Sequence, residues 1–180
     1  DQIRSFADTL SARSRHRVLS FGDEIKLGTI DYSSVELQKK YTEWLTEKGD
    51  TEKELGVDPE LAQLRAEGDP RQLWFANLFN EQERFASFRN RTELAEQLLG
   101  NQVLTGANYS PHHLALCYGP VFQWVDIFKH RGMSMFWSED YIFSIPEVPQ
   151  ILSWMIAQAR CGVKYHNLPI HMYIMPHAPG

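Results

Sequence analysis

Apolar residues recur along this chain in two rhythms, and the switches between them divide it into elements. Ile3, Phe6, Ala7 and Leu10 keep the three-four spacing of a helix face, which predicts a helix over 1–14. The run 18–21 is continuously apolar except for Ser20 and reads as a short strand that ends in Asp23-Glu24. Val35, Leu37, Tyr41, Trp44 and Leu45 then fall on one side of a helix, with Lys39, Lys40, Glu43 and Glu47 on the other. Ser33 or Ser34 starts that helix, Glu36 sits in its first turn, and Gly49 closes it. Residues 50–70 are charged and punctuated by Pro59, Gly68 and Pro70, so they read as an excursion of short helical turns with a solvated surface. From about 71 to 99, Leu73, Phe75, Leu78, Phe79, Phe85 and Phe88 supply the apolar face of a long helical segment. Thr92-Glu93 marks a place where that helix restarts before Gly100.

The second half alternates more quickly. A strand over 102–107 leads into Asn108-Tyr109, and a helix over 118–129 turns Val121, Phe122, Val125 and Phe128 inward. Residues 133–137, bounded by Gly132, form a short apolar run that reads as a buried strand ending in Glu139-Asp140. A Pro-bounded loop precedes a helix over 149–159 that is apolar nearly all round and therefore expected to be well buried. The last strand covers 170–175 and runs into Pro176-His177. Strands that alternate with helices imply parallel pairing with helical crossovers. No Gly-rich phosphate fingerprint follows any strand, which weighs against a nucleotide-binding sheet. The expected fold is therefore α/β: a partial (β/α)8 TIM barrel of about four βα units with parallel strands and a helical excursion after the first strand. Residues 1–180 are expected to form one domain, and an ending directly after a core strand reads as a fragment of a longer chain.

Composition narrows the chemistry. Hydrophobic residues make up 43% of the 180, enough for a sizeable core. The net charge of −5, with both signs interspersed, argues against a nucleic-acid surface. No apolar run approaches the length of a membrane span, so no membrane partner is expected. Cys117 and Cys161 stand singly, without metal spacing, and read as buried free thiols.

Two stretches share a grammar of apolar run followed by an acidic pair: Arg17-Val-Leu-Ser-Phe-Gly-Asp-Glu-Ile25 and Arg131-Gly-Met-Ser-Met-Phe-Trp-Ser-Glu-Asp-Tyr-Ile-Phe143. Carboxyl ends of parallel strands are where barrel enzymes place their chemistry. Glycoside cleavage needs one carboxylic acid at the leaving oxygen and a second carboxylate as nucleophile or base, about 5–5.5 Å apart in retaining enzymes and roughly 6.5–9.5 Å in inverting ones. Glu24 and Glu139 are the candidates for that pair. Asp23, Asn108, Tyr109, Trp137, Asp140 and His177 are the expected substrate-binding residues, with Trp137 and Tyr109 offering rings to a sugar face. Taken alone, an acidic pair more often caps a helix or binds an arginine. A metal-dependent barrel hydrolase built on Asp23, Asp140 and the histidines is a rival, but no His-x-His or His-Glu-x-x-His spacing is present. No metal and no cofactor are expected, and His171, inside a strand, reads as a hydrogen-bonded core residue. A non-catalytic carbohydrate-binding barrel is the third reading.

The arrangement resembles β-galactosidase-like glycoside hydrolases of the family 42 type, in the large clan of retaining barrels. Ser20-Phe-Gly-Asp-Glu-Ile25 resembles the fourth strand, Leu37-Gln-Lys-Lys-Tyr-Thr-Glu-Trp-Leu45 the helix after it, and Leu104-Thr-Gly-Ala-Asn-Tyr109 the fifth strand. Residues 133–141 stand for the sixth strand and 170–177 for the seventh. The resemblance implies hydrolysis of a carbohydrate substrate with Glu24 as acid/base. It departs from the clan in carrying Asp23 where an Asn is usual and no Glu after the seventh strand. Glu139 then becomes the second carboxylate.

Overall fold

A computed structural model describes residues 2–10, 17–23, 30–49, 51–109, 121–140 and 148–174. In chain order they form α1 (Gln2–Thr9), β1 (Val18–Ser20), α2 (Val35–Lys48), α3 (Thr51–Leu55), a 3-10 turn (Pro59–Leu61), α4 (Pro70–Leu99), β2 (Leu104–Gly106) and β3 (Asn108–Tyr109). Then follow α5 (Val121–Lys129), β4 (Phe136–Asp140), α6 (Val148–Val163), a second 3-10 turn (Lys164–His166) and β5 (Ile170–Ile174). The chain divides into two compact units, one made of Asp1–Lys26 with Phe85–Gly180 and the other of Leu27–Arg84.

The expected partial TIM barrel is not what forms. Helix accounts for 62% of the described residues, the strands are two to five residues long, and no barrel is closed among them. The strands make a two-stranded sheet, β1-β2, and a three-stranded sheet, β3-β4-β5, with every pairing parallel. The physical reason lies in what the helices bury. The apolar face of α2 and the first half of α4 need no sheet beneath them, because they bury one another.

That helical core is the centre of the Leu27–Arg84 unit. Tyr41, Leu45, Leu55, Ala62, Leu64, Phe75, Ala76 and Phe79 form one cluster, with Trp44, Leu37 and Val57 packed against it. Ser34 caps α2 by accepting from the Leu37 amide, and Gly49 ends it at a φ of 64°, a conformation that suits glycine. The Gln38 amide holds the loop after the 3-10 turn from both sides, donating to the Ala62 carbonyl at 3.0 Å and accepting from the Leu64 N–H at 2.7 Å. The excursion read over 50–70 is thus tied into a core of its own.

The long segment after it is one unbroken helix, α4, of 30 residues. Thr92 does not restart it. Its side chain is buried, and its hydroxyl donates to the Gly132 carbonyl at 2.9 Å and lies 2.8 Å from the Thr105 hydroxyl. A tertiary partner for the hydroxyl replaces the local backbone bond that a cap would make. Ser134 extends this network, accepting from the Thr105 N–H at 2.8 Å. Ala7, Ala95, Leu99 and Val103 close the core on that side, with Leu10, Leu19 and Leu98 against them.

Segment 104–109 runs down the middle of the strands. On one side its backbone meets residues 17–22, through Leu104 N–H to Arg17 O and Phe21 N–H to Gly106 O, both 2.7 Å. On the other, Thr105 O accepts from the Ser134 and Met135 amides at 3.0 Å. Gly106 is required by this closeness, since a Cβ there would lie 2.9 Å from the Met135 carbonyl oxygen. The strand expected over 133–137 begins instead at Phe136 and includes Glu139 and Asp140, which pair with Tyr173 and Ile174 of β5. Helix α6 is not buried all round: Ala159 and Val163 are buried, whereas Trp154, Arg160 and Cys161 are exposed. The expectation of a buried Cys161 thiol is corrected accordingly, and Cys117 lies outside the described residues.

Candidate functional site

The chain leaves the end of β1 beside the start of β3, and this junction brings together residues far apart in sequence. Gly22, at a φ of 149°, turns the chain at the end of β1, and its carbonyl accepts from the Asn108 N–H at 3.1 Å. Asp23 follows and is exposed. Its Oδ1 accepts from Asn108 Nδ2 at 2.7 Å, a bond that spans 85 residues of chain. A carboxylate accepting from an amide makes a short, charge-assisted hydrogen bond.

Asn108 itself is only 5% exposed. Its Oδ1 is enclosed and has no hydrogen-bond partner among the described residues. A buried acceptor left unpaired costs about 1–3 kcal/mol and is uncommon enough to require a reason. The donor side of the amide is committed to Asp23, so the acceptor side stays open.

The neighbouring strands continue the row. Asn108 is in register with Trp137 of β4, and Trp137 with His171 of β5. Side chains in register on parallel strands point to the same face, so the amide, the indole and the imidazole line one face of the sheet. The indole and imidazole rings meet edge to face, 5.6 Å between centroids. His171 is exposed, so the expectation of a hydrogen-bonded core histidine is corrected. Burial could not be read from the sequence because one strand residue in two faces away from whatever core exists.

The remaining expected residues divide cleanly. Tyr109 is the last residue of β3 and pairs with Ser138, while Glu139 and Asp140 are the last two of β4. Glu24 and His177 lie outside the described residues. The structure thus brings Asp23, Asn108 and Trp137 together, with Glu139 two positions beyond Trp137 on the same strand. Among the described residues no group of three or more His, Cys, Asp or Glu side chains is gathered where it could hold a metal ion.

Sequence reasoning missed the support beneath this site. Thr92, Thr105 and Ser134 tie α4, β2 and the approach to β4 into one hydrogen-bonded unit, which sets the height of segment 104–109 against β4. A buried hydroxyl pair has no periodic signature, so only Thr105 at the centre of an apolar strand hinted at it. Arg131 holds the same approach from outside. It adopts a left-handed φ of 56° and its guanidinium reaches Glu96 at 3.1 Å.

No protein-family model matches the chain, and comparison with curated proteins and with solved structures likewise returns no match. No helix of the described residues is long and apolar enough to cross a membrane.

Proposed function

We propose that the protein hydrolyses a glycosidic bond beside the Asp23–Asn108 pair, where β1 has ended and β3 begins. One observation carries this reading: Asn108, hydrogen-bonded to the Asp23 carboxylate, stands in register with Trp137. Sugars demand that combination, because a pyranose offers hydroxyls around its rim and an apolar C–H face to stack on a ring.

In this reading Glu24 is the general acid/base. It protonates the leaving oxygen as the glycosidic bond breaks and, where Glu139 forms the glycosyl intermediate, takes a proton from the water that hydrolyses it. Glu139 is the second carboxylate, acting as nucleophile at the anomeric carbon or as base for water, according to its distance from Glu24. Asn108, oriented by Asp23, binds a hydroxyl, Trp137 carries the sugar face, and His177 completes the lining.

The test is hydrolysis of a panel of 4-nitrophenyl glycosides by the protein, by Glu24→Gln and by Glu139→Gln. Turnover by the parent, lost by at least about 1,000-fold in both variants with folding intact and with no effect of chelator, is the expected result. Binding of sugar without turnover by the parent sinks hydrolysis in favour of a carbohydrate-binding module. Activity abolished by chelator alone transfers the chemistry to a metal.

A further inference from the structure

We infer that Asn108 is a hydroxyl selector of fixed polarity, whose carboxamide oxygen accepts a hydrogen bond from one free hydroxyl of the sugar. The inference deepens the hydrolase reading of the same site and rests on it for the class of ligand.

The two ends of the Asn108 amide differ in what they can still bind. A free asparagine side chain can rotate to offer either its NH2 donors or its oxygen, so it accepts ligands of both kinds. Asn108 lacks that freedom. Its Nδ2 donates to the Asp23 carboxylate at 2.7 Å, and a carboxylate rewards a donor and repels an amide oxygen. Rotation by half a turn would set Oδ1 against Asp23 Oδ1 and break the bond. Backbone pairing leaves little slack, because the Asn108 N–H is held by Gly22 O and the strand pairs with β4 at Trp137. What remains is an acceptor, enclosed and unpaired among the described residues.

An acceptor of this kind discriminates by what the ligand lacks. A hydroxyl supplies the missing donor. A hydrogen in its place leaves the oxygen unpaired, and fluorine, which accepts but does not donate, does no better. Ligand arrival has to part the atoms that now enclose Oδ1, and the new hydrogen bond offsets that cost. Asp23 is the positioning residue in this scheme, acting on the ligand through the amide it orients. The substrate class is therefore a glycoside with an unsubstituted hydroxyl at the ring position that meets Asn108.

The decisive experiment measures binding by calorimetry, so that it does not depend on catalysis. The probes are methyl β-galactopyranoside, methyl β-glucopyranoside and methyl β-mannopyranoside, and for the one that binds tightest its monodeoxy and monodeoxyfluoro analogues. The parent protein is expected to lose about 10- to 100-fold in affinity at one ring position, equally for deoxy and deoxyfluoro. In Asn108→Ala that position-specific loss disappears, while losses at other positions stay. In Asp23→Asn, at an exposed residue where folding is not at stake, the amide is free to rotate and the deoxyfluoro analogue regains affinity over the deoxy one. An Asn108→Ala protein that keeps the full penalty, or a parent that binds the deoxyfluoro analogue as well as the hydroxyl sugar, overturns the selector. The 4-nitrophenyl panel separates the two readings. The binding pattern without turnover sinks hydrolysis and leaves the selector standing, whereas turnover indifferent to Asn108 does the reverse. No binding by any of the three sugars and no turnover removes both.

Discussion

The amide of Asn108 and the phenol of Tyr41 pose the same question, since each buries a polar atom with no partner among the described residues. Their settings give opposite answers. Asn108 opens β3 with the donor side of its amide committed to the exposed carboxylate of Asp23, which leaves the oxygen as the group that a ligand hydroxyl would complete. Tyr41 is fully buried amid the aromatic rings of Trp44, Phe75 and Phe79, the last with ring centroids 5.2 Å away. Burial alone pushes its phenol from 10 up to about 12. The sign follows from linkage: below pH 10 both states are protonated, and from pH 10 upward the unfolded chain ionises while the folded one does not. Stability is therefore fully present below pH 10 and falls by about 1.4 kcal/mol per unit as pH rises from there towards 12. Urea unfolding of the parent and of Tyr41→Phe at pH 8 and pH 11 checks this. The variant is expected to match or slightly exceed the parent at pH 8 and to lack this part of the alkaline loss.

At the scale of elements, the strands are too short to place themselves. Three backbone pairs join β1 to β2 and two join β3 to β4, which leaves register there weakly specified, and a slip of one residue would turn Asn108 to the other face. The hydroxyl network of Thr92, Thr105 and Ser134 removes that ambiguity by tying helix α4 to segment 104–109 and to the backbone at Gly132. Thr92→Val keeps the shape and deletes the hydroxyl, which leaves the Gly132 carbonyl and a bond of Thr105 unmade. The expected cost is about 1–3 kcal/mol in chemical denaturation, with Thr92→Ser retaining most of the stability. If Thr92→Val costs nothing measurable, water replaces the hydroxyl and the network does not hold the strands.

At the scale of the whole molecule, two compact units share one chain, with Leu27–Arg84 a continuous segment between the two parts of the other. Helix α4 gives its first half to one unit and its second half to the other. Leu45, fully buried in the helical core, tests whether that segment carries stability of its own. Leu45→Ala should cost about 2–5 kcal/mol, the transfer of the side chain plus the cavity it leaves. A cost below about 1 kcal/mol would mean that the core refills and that packing there is loose.

The sequence by itself determined what depends on neighbours along the chain. The start of α2 at Ser34, its end at Gly49, and the apolar positions of α2 and α4, apart from Val35, which is exposed, follow from spacing and capping within a few residues. Tertiary structure decided what each face is buried against. The pattern in 35–79 reads equally well as helices covering a sheet or as helices covering one another, because amphipathicity records that a face is buried and not by what. Counting alternations therefore suggested a barrel, where Tyr41, Leu45, Phe75 and Phe79 instead meet in a separate core. The site divides in the same way. Asp23 and Asn108 were legible as polar residues that follow apolar strand runs, but the 2.7 Å bond that joins them across 85 residues, and the amide polarity it imposes, exist only once parallel pairing brings β1 beside segment 104–109.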